Sequence, residues 1–242
     1  MRQLSIRQVK SSFYLIPLFL FGLLIGCNSD PTTTSPAAGN FSLSVKNNPG
    51  SFGIAQSDTL VLNTVKIMMK NVELFSDSMG EKWHHEENEE VESGPFVVVL
   101  NLNGSINTIA LTTIPAGIYN GVNFEIHRLN RNEAVIDSEF IDSTCGEKGY
   151  SIVVEGTYLG NPFVFKSRNS VNQHVLFTNP VTVTTDGLIN VTLTVDPYSW
   201  FNQNGNYVDP NNPDNFWLIN RLIKESFRNC FKDDDRNGDP DH

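Results

Sequence analysis

Between residues 41 and 195, apolar and polar residues alternate with a period of two, and turn residues separate the alternating segments. In the segment 64–75 (TVKIMMKNVELF), the apolar residues Val65, Ile67 and Met69 alternate with lysines at 66 and 70. A period of two places these side chains on opposite faces of a half-buried strand. Because about eight such segments follow one another without a helical pattern, we expect a mainly β fold. The sequence predicts an antiparallel β-sandwich of about eight strands.

Two segments refine this expectation. The segment 181–195 (VTVTTDGLINVTLTV) contains Asp186-Gly187 between two alternating runs, and this dipeptide is typical of the type I′ turn of a tight β-hairpin. The segment 95–102 (PFVVVLNL) is apolar almost throughout, which favours a central strand that is buried on both faces.

The pattern changes to helical spacing near the end of the chain. Phe216, Ile219, Ile223 and Phe227 recur every three or four residues, and Asp214 precedes them as a helix cap. We therefore expect one C-terminal α-helix that runs to about residue 231. The expected division of the chain is a signal peptide (1–26), a lipidated cysteine with a flexible tether (27–40), the β-sandwich (41–198), a loop with the helix (199–231) and an acidic tail (232–242).

The first 26 residues have the features of a secretory leader. Three basic residues and no acidic residue precede the apolar run 13–25 (FYLIPLFLFGLLI). Residues 24–27 (LIGC) resemble the lipobox of bacterial lipoproteins, in which the cysteine is lipidated and cleavage falls just before it. This resemblance implies that Cys27 carries acyl chains such as palmitate. The alternatives are an ordinary signal peptide and an uncleaved anchor.

Charge and location restrict the partners. Without the leader's three basic residues the chain has 14 basic and 27 acidic residues, a net charge of −13. A negative charge of this size argues against nucleic acid as a partner. We expect the protein to contact the membrane through its lipid anchor and to meet an unknown envelope protein or glycan. Asn28, rather than Asp, after Cys27 favours the outer membrane by analogy with known sorting rules.

Two segments carry a resemblance to a known group of proteins. IPAGIYNGVNFEI (114–126) and YSIVVEGTYLGNPFVF (150–165) resemble parts of an uncharacterised family of bacterial lipoprotein domains. Members of this family have a PAG-x-Y turn about midway along a β-sandwich that is related to transthyretin-like folds. The resemblance covers about residues 41–196. It implies a fold and an envelope location, and it implies no activity.

The strongest candidate for chemistry is the acidic C-terminus. Its candidate ligands are spaced like the first half of an EF-hand-type calcium loop, with a glycine at the sharp turn at 238, and they are Asp233, Asp235, Asn237, Asp239 and Asp241. The segment also resembles the Asp/Asn-Gly-Asp repeats of thrombospondin type 3 and dockerin modules. The glutamate at loop position 12 is missing, because the sequence ends at residue 242. A solvated acidic tail is the alternative.

Three further groups of residues are candidates with structural alternatives. Trp200 and Phe201 form either a ligand platform or a plug over the end of the sandwich. Cys145 and Cys230 either form a disulfide or stay free. The adjacent His84-His85, followed by glutamates, either ligates zinc or copper or belongs to a charged surface loop.

No arrangement typical of catalysis is present in the sequence. It contains no nucleophile elbow, no H-E-x-x-H motif and no glycine-rich phosphate loop. We therefore expect a non-enzymatic binding or scaffold domain on a lipid anchor. A calcium-responsive module that uses the C-terminal tail is the first alternative. An envelope hydrolase that acts on glycans through two distant carboxylates is the second.

Overall fold

The computed structural model describes the residue ranges 37–47, 59–76, 88–92, 94–134, 137–144, 149–227 and 229–241. These parts of the chain form thirteen strands and one α-helix. The strands are β1 (Ala38–Asn47), β2 (Leu60–Phe75), β3 (Asn88–Glu92), β4 (Phe96–Val99), β5 (Ile106–Pro115), β6 (Gly117–Ile126), β7 (Ile152–Tyr158), β8 (Asn161–Ser167), β9 (Val171–Val183), β10 (Leu188–Val195), β11 (Asn202–Gln203), β12 (Asn206–Tyr207) and β13 (Asn229–Lys232). The helix, α1, is Phe216–Glu225.

Eleven strands belong to one curled sheet. Its order is β5-β1-β10-β13-β9-β6-β2-β7-β8, and β3 and β4 pair with β2 beside this path. β1 runs parallel to β10, and β13 runs parallel to β9, whereas the other pairs are antiparallel. The expected mainly β fold with a C-terminal helix is confirmed. The sheet, however, is a mixed half-barrel rather than a clear antiparallel sandwich of eight strands.

The long strand β2 connects the two parts of this sheet. Its first half pairs with β7 and its second half with β6 on the same edge, while β4 and β3 pair along the other edge. The register shifts between Lys70 and Glu73, where Asn71 has a φ of 52°. An irregularity of this kind increases the local twist of a strand. It lies between the part of β2 that pairs with β4 and the part that pairs with β3.

The prediction of a tight β-hairpin at Asp186-Gly187 is wrong. β9 and β10 are consecutive in sequence, but β13 lies between them in the sheet. Of the two turn residues only Gly187 has a positive φ, at 92°, whereas a type I′ turn needs positive φ at both positions. The turn is therefore wider, and it leaves a gap that β13 fills from the end of the chain.

The apolar segment 95–102 does not form a central strand. Its ordered part, β4, pairs with β2 alone among the described residues, so it lies at an edge of the sheet. Val98 and Leu100 are buried on one face, whereas Val99 is 46% exposed on the other. The apolar composition reflects one packed face and the strand preference of valine.

The C-terminal helix is shorter than expected. α1 ends at Glu225, and residues 229–232 form β13 instead of further helical turns. Ser226 terminates the helix: its hydroxyl donates to the Ile223 carbonyl oxygen at 2.8 Å and accepts from the Trp200 indole N–H at 2.7 Å. Asp214 does not cap α1, because it lies in a short 3-10 turn, Pro213–Asn215, that Asn212 caps.

The main core joins residues from both ends of the domain. Fully buried side chains from β1, β6, β10, the 3-10 turn Pro197–Phe201 and α1 belong to one apolar cluster, which includes Phe41, Phe124, Leu193, Trp200 and Ile219. α1 and β13 therefore belong to the same folded unit as β1 and the rest of the sheet.

Candidate metal site

The acidic segment 233–241 forms a closed loop that is fixed to the sheet. We call this segment the acidic loop. Asp233 directly follows β13, and its N–H donates to the Asn190 carbonyl oxygen of β10 at 2.9 Å. At the far end the Asp241 N–H donates to the Lys232 carbonyl oxygen at 3.0 Å. Since both ends are held at β13, the loop has a defined position on the sheet.

A buried polar network lies beneath the acidic loop. The Asn190 side-chain oxygen accepts from the hydroxyls of Ser42 at 2.9 Å and Ser44 at 2.8 Å. The Asn190 amide group donates to the Asp233 carbonyl oxygen at 2.8 Å. These side chains point away from the apolar core, yet Ser42, Ser44 and Asn190 are fully buried. The acidic loop therefore shields the polar faces of β1 and β10 from water.

The two carboxylate oxygens of Asp233 differ in their partners. Oδ2 accepts from the Thr192 hydroxyl at 2.7 Å and from the Gly238 N–H at 3.1 Å. Oδ1 is buried and has no hydrogen-bond partner, although the residue is 0% exposed. A buried polar atom without a partner costs stability and is rare in native proteins. It is therefore the atom of this loop that most needs a ligand.

Two further carboxylates lie next to Asp233. Side-chain oxygens of Asp233, Asp235 and Asp241 all lie within 4.8 Å of one another. Asp235 is exposed and Asp241 is half-buried, so the cluster is open to solvent on one side. These residues correspond to positions 1, 3 and 9 of the predicted calcium loop, which the fold brings together.

The other two expected ligands have different positions. Asn237 donates through its amide group to Asp235 at 2.9 Å and accepts from the Asp239 N–H at 2.7 Å. Asn237 thus supports a ligand and the backbone turn. Asp239 is exposed and does not belong to the group of three carboxylates.

Gly238 and Lys46 fix the turn of the loop. Gly238 has a φ of 85°, and a β-carbon at this position would overlap the Lys46 side chain. The Lys46 ammonium donates to the Gly238 carbonyl oxygen at 3.1 Å and to that of Asn237 at 3.4 Å. This agrees with the glycine that an EF-hand-type loop requires at its sixth position.

Lys232 balances part of the negative charge. Its ammonium contacts the carboxylates of Asp234 and Asp241, the latter at 3.2 Å. The hydrogen bonds to Asp234 and then to Asp241 raise the pKa of Lys232 above its usual value. No such cation faces Oδ1 of Asp233 among the described residues. Three clustered carboxylates with hard oxygen donors fit a calcium ion, which takes six to eight oxygen ligands.

Trp200 and Phe201 are not surface residues. Both side chains are fully buried in the main core, where Phe201 contacts the rings of Phe163 and Phe165. The indole N–H of Trp200 is satisfied by Ser226. An exposed ligand platform is therefore not formed by this pair.

Cys230 is a free cysteine on β13. It is fully buried, and burial raises the pKa of its thiol. A buried thiol in apolar surroundings is chemically inert. Cys145, its expected disulfide partner, lies outside the described residues, as do Cys27, His84 and His85.

A pocket of about 420 Å³ lies near the N-terminal end of α1, and sequence reasoning missed it. Its lining residues are Tyr158, Gln203, Asn204, Asn206, Tyr207, Val208, Asp209, Asn215 and Leu218. β11 and β12 form a hairpin at its edge, in which Asn204 and Gly205 have φ values of 54° and 85°. Asn-Gly is a strong hairpin signal, so the sequence did contain this feature.

The second alternative, a glycan hydrolase, needs two carboxylates that face each other across a cleft. Among the residues that line this pocket, Asp209 is the only carboxylate.

In the described part of the chain, no helix combines the length and the apolar character needed to cross a membrane. Comparison of the chain with protein-family models, curated proteins and solved structures gives no match.

Proposed function

We propose that this chain is a lipid-anchored protein of the bacterial cell envelope, attached through Cys27 to the outer membrane. In this proposal its β domain is a non-enzymatic binding or scaffold module, and its acidic loop binds calcium. The leader, the lipobox-like residues 24–27 and the tether support the anchor. The cluster of Asp233, Asp235 and Asp241 supports the calcium site.

One observation carries the calcium proposal: the buried, unpartnered Oδ1 of Asp233 beside two other carboxylates. A solvated acidic tail would expose its carboxylates to water, which would satisfy them. Here one carboxylate oxygen is held away from water, and no donor of the described residues reaches it. A cation at this position would pair with the buried oxygen and offset the repulsion among the three side chains.

Calcium would act on the architecture of the domain. The acidic loop is connected through Asn190 to Ser42 and Ser44 on β1, the strand that follows the tether. It is also continuous with β13, which fills the gap between β9 and β10. Binding would therefore stabilise the attachment of β1 and β13 to the sheet.

Isothermal titration of the full-length protein in detergent with CaCl₂ tests the site. We expect saturable binding with a Kd of about 0.1–1 mM, as in extracellular calcium-binding modules. Asp235→Asn should weaken binding at least about tenfold, because it removes one charged ligand. Asp235 is exposed, so this change should leave the fold intact.

Asp239→Asn is the matched control. Asp239 lies in the same loop and is also exposed, but it lies outside the cluster. The calcium affinity of this variant should therefore stay within about twofold of that of the parent. Absence of calcium binding to the parent, or an equal loss of calcium binding in both variants, would contradict the site.

Mass spectrometry of the same preparation tests the anchor and should find acyl chains on Cys27. An unmodified amino terminus on a freely soluble product would contradict the anchor.

A further inference from the structure

The pocket near α1 is built from three separate parts of the chain. Tyr158 is the last residue of β7, Gln203, Asn204, Asn206 and Tyr207 belong to the β11–β12 hairpin, and Asn215 directly precedes α1, which contributes Leu218. None of these residues belongs to the acidic loop. Its volume of about 420 Å³ lies in the range of small-molecule sites, about 300–1,000 Å³.

The polar lining of the pocket consists mainly of neutral amides. These are Gln203, Asn204, Asn206 and Asn215. An amide side chain offers both donors and an acceptor, so it matches a hydroxyl group, which also donates and accepts. The lining contains no Lys, Arg or His and one carboxylate, Asp209. A phosphate or carboxylate ligand would find no cation here, and a neutral ligand rich in hydroxyls fits better.

The apolar lining complements the amides. Tyr158, Tyr207 and Leu218 are half-buried, so each presents part of its side chain to the pocket. Aromatic rings combine a large apolar surface with a polar tip. A pyranose ring has the same dual character, with C–H groups on its faces and hydroxyls around its edge.

The pocket is held in shape before a ligand arrives. The Asn204-Gly205 turn fixes the hairpin, and the Gly205 N–H donates to the Asn202 side chain at 2.8 Å. The Asn215 amide donates to the Asp209 carbonyl oxygen at 3.0 Å, which joins the start of α1 to the preceding loop. A preformed site loses less entropy when it binds.

We infer that this pocket binds a neutral saccharide of one or two sugar residues, with the amides on its hydroxyls and the tyrosines beside its ring. This inference rests on the proposed binding module and names the class of ligand for it. It does not depend on calcium, because the two sites share no residue.

Titration of the ¹⁵N-labelled full-length protein in detergent, followed by NMR, tests the inference. The probes are cellobiose and N,N′-diacetylchitobiose, each up to 20 mM, with glucose and glucose 6-phosphate as a neutral and a charged monosaccharide for comparison. We expect at least one neutral disaccharide to shift the backbone amides of residues 203–209 with a millimolar Kd. The charged sugar should bind at least fivefold more weakly than glucose.

The double variant Gln203→Ala with Asn206→Ala should weaken disaccharide binding at least tenfold. Both residues are exposed, so the fold should survive the change. The control is Asn172→Ala, an exposed amide on β9 outside the pocket, which should leave the Kd within twofold.

Three results would overturn the inference: no shift with either disaccharide, shifts confined to other parts of the domain, or a double variant that binds like the parent. Asp235→Asn separates this site from the calcium site. If Asp235→Asn loses calcium binding and keeps disaccharide binding, both assignments hold. If calcium binds and the disaccharides do not, only the pocket assignment fails.

Discussion

Two carboxylates in different loops of this domain, Glu133 and Asp233, differ in how completely the fold supplies their hydrogen-bond partners. Glu133 lies in the loop after β6, and both of its oxygens are paired: Oε1 with the Lys70 ammonium at 3.0 Å, and Oε2 with His127 at 2.7 Å and the Asn130 N–H at 2.9 Å. Asp233 in the acidic loop has neutral donors on Oδ2 and none on Oδ1. The first carboxylate is satisfied by the fold, and the second is satisfied only in part.

The electrostatic surroundings differ in the same way. Burial alone would raise the pKa of Glu133, but hydrogen bonds from Asn130, His127 and Lys70 outweigh it and lower this pKa to about 2. Asp233 instead has two like charges within 4.8 Å. The fold thus supplies partners to both oxygens of Glu133 and leaves Oδ1 of Asp233 without one, where we propose that a calcium ion binds.

The largest expected effect is the loss of stability in acid. The pKa of Glu133 is lowered from 4.5 to about 2 in the folded state, so its contribution is fully present above about pH 4.5 and is lost as the pH falls towards 2. The contribution amounts to roughly 3 kcal/mol at neutral pH. Urea unfolding at pH 7 and at pH 2.5 should show that the free energy of unfolding falls less in Glu133→Gln than in the parent. The free energy of unfolding of the variant still falls to some extent, because the hydrogen bond from Lys66 also lowers the pKa of Asp137.

Asp186→Asn is the control for that prediction. It makes the same change from carboxylate to amide at an exposed turn, and both Asp and Asn are common turn residues. It should change the free energy of unfolding by less than about 0.5 kcal/mol at either pH. An equal acid response in the parent and in Glu133→Gln would show that Glu133 is not satisfied by its neighbours in the way described.

The next largest effect is the stabilisation of the domain by calcium at the Asp233 cluster. At 10 mM calcium and a Kd of about 1 mM, binding should stabilise the parent by about 1.4 kcal/mol in calcium-dependent urea unfolding. Asp235→Asn should lose most of this gain, and without calcium it should be at least as stable as the parent, since it removes like-charge repulsion. Sodium chloride at the same ionic strength is the control. A decrease in stability of Asp235→Asn without calcium would contradict the difference between the two carboxylates.

The smallest effect concerns the neutral donors of Asp233. Thr192→Val keeps the shape of the side chain but removes the hydroxyl that donates to Oδ2 at 2.7 Å. It should lower the free energy of unfolding by about 1 kcal/mol in chelator-treated buffer. Thr194→Val on the same strand is the control, because its hydroxyl makes only a 3.4 Å contact with Asn229. Equal effects of the two changes would show that the Asp233 network adds nothing specific.

Local patterns in the sequence were sufficient for several elements. The alternation in 64–75 predicted β2 and its buried residues Val65, Ile67 and Met69, because one packed face requires a period of two. The helical spacing predicted α1, although its last turn was wrong. The spacing of the aspartates predicted a cluster of ligands in the acidic loop, of which Asp233, Asp235 and Asp241 lie together and Asp239 does not.

The sequence by itself determined that the domain is mainly β, with a C-terminal helix and a run of aspartates at ligand spacing, since these depend on residues close together in the chain. Tertiary structure alone decided that β13 separates β9 from β10, that Trp200 is buried, and that one oxygen of Asp233 lacks a partner. The physical reason is distance along the chain. Asp233 is buried beside Asn190 and Thr192 of β10, which lie far from it in sequence, and no local pattern records which donors that strand will offer.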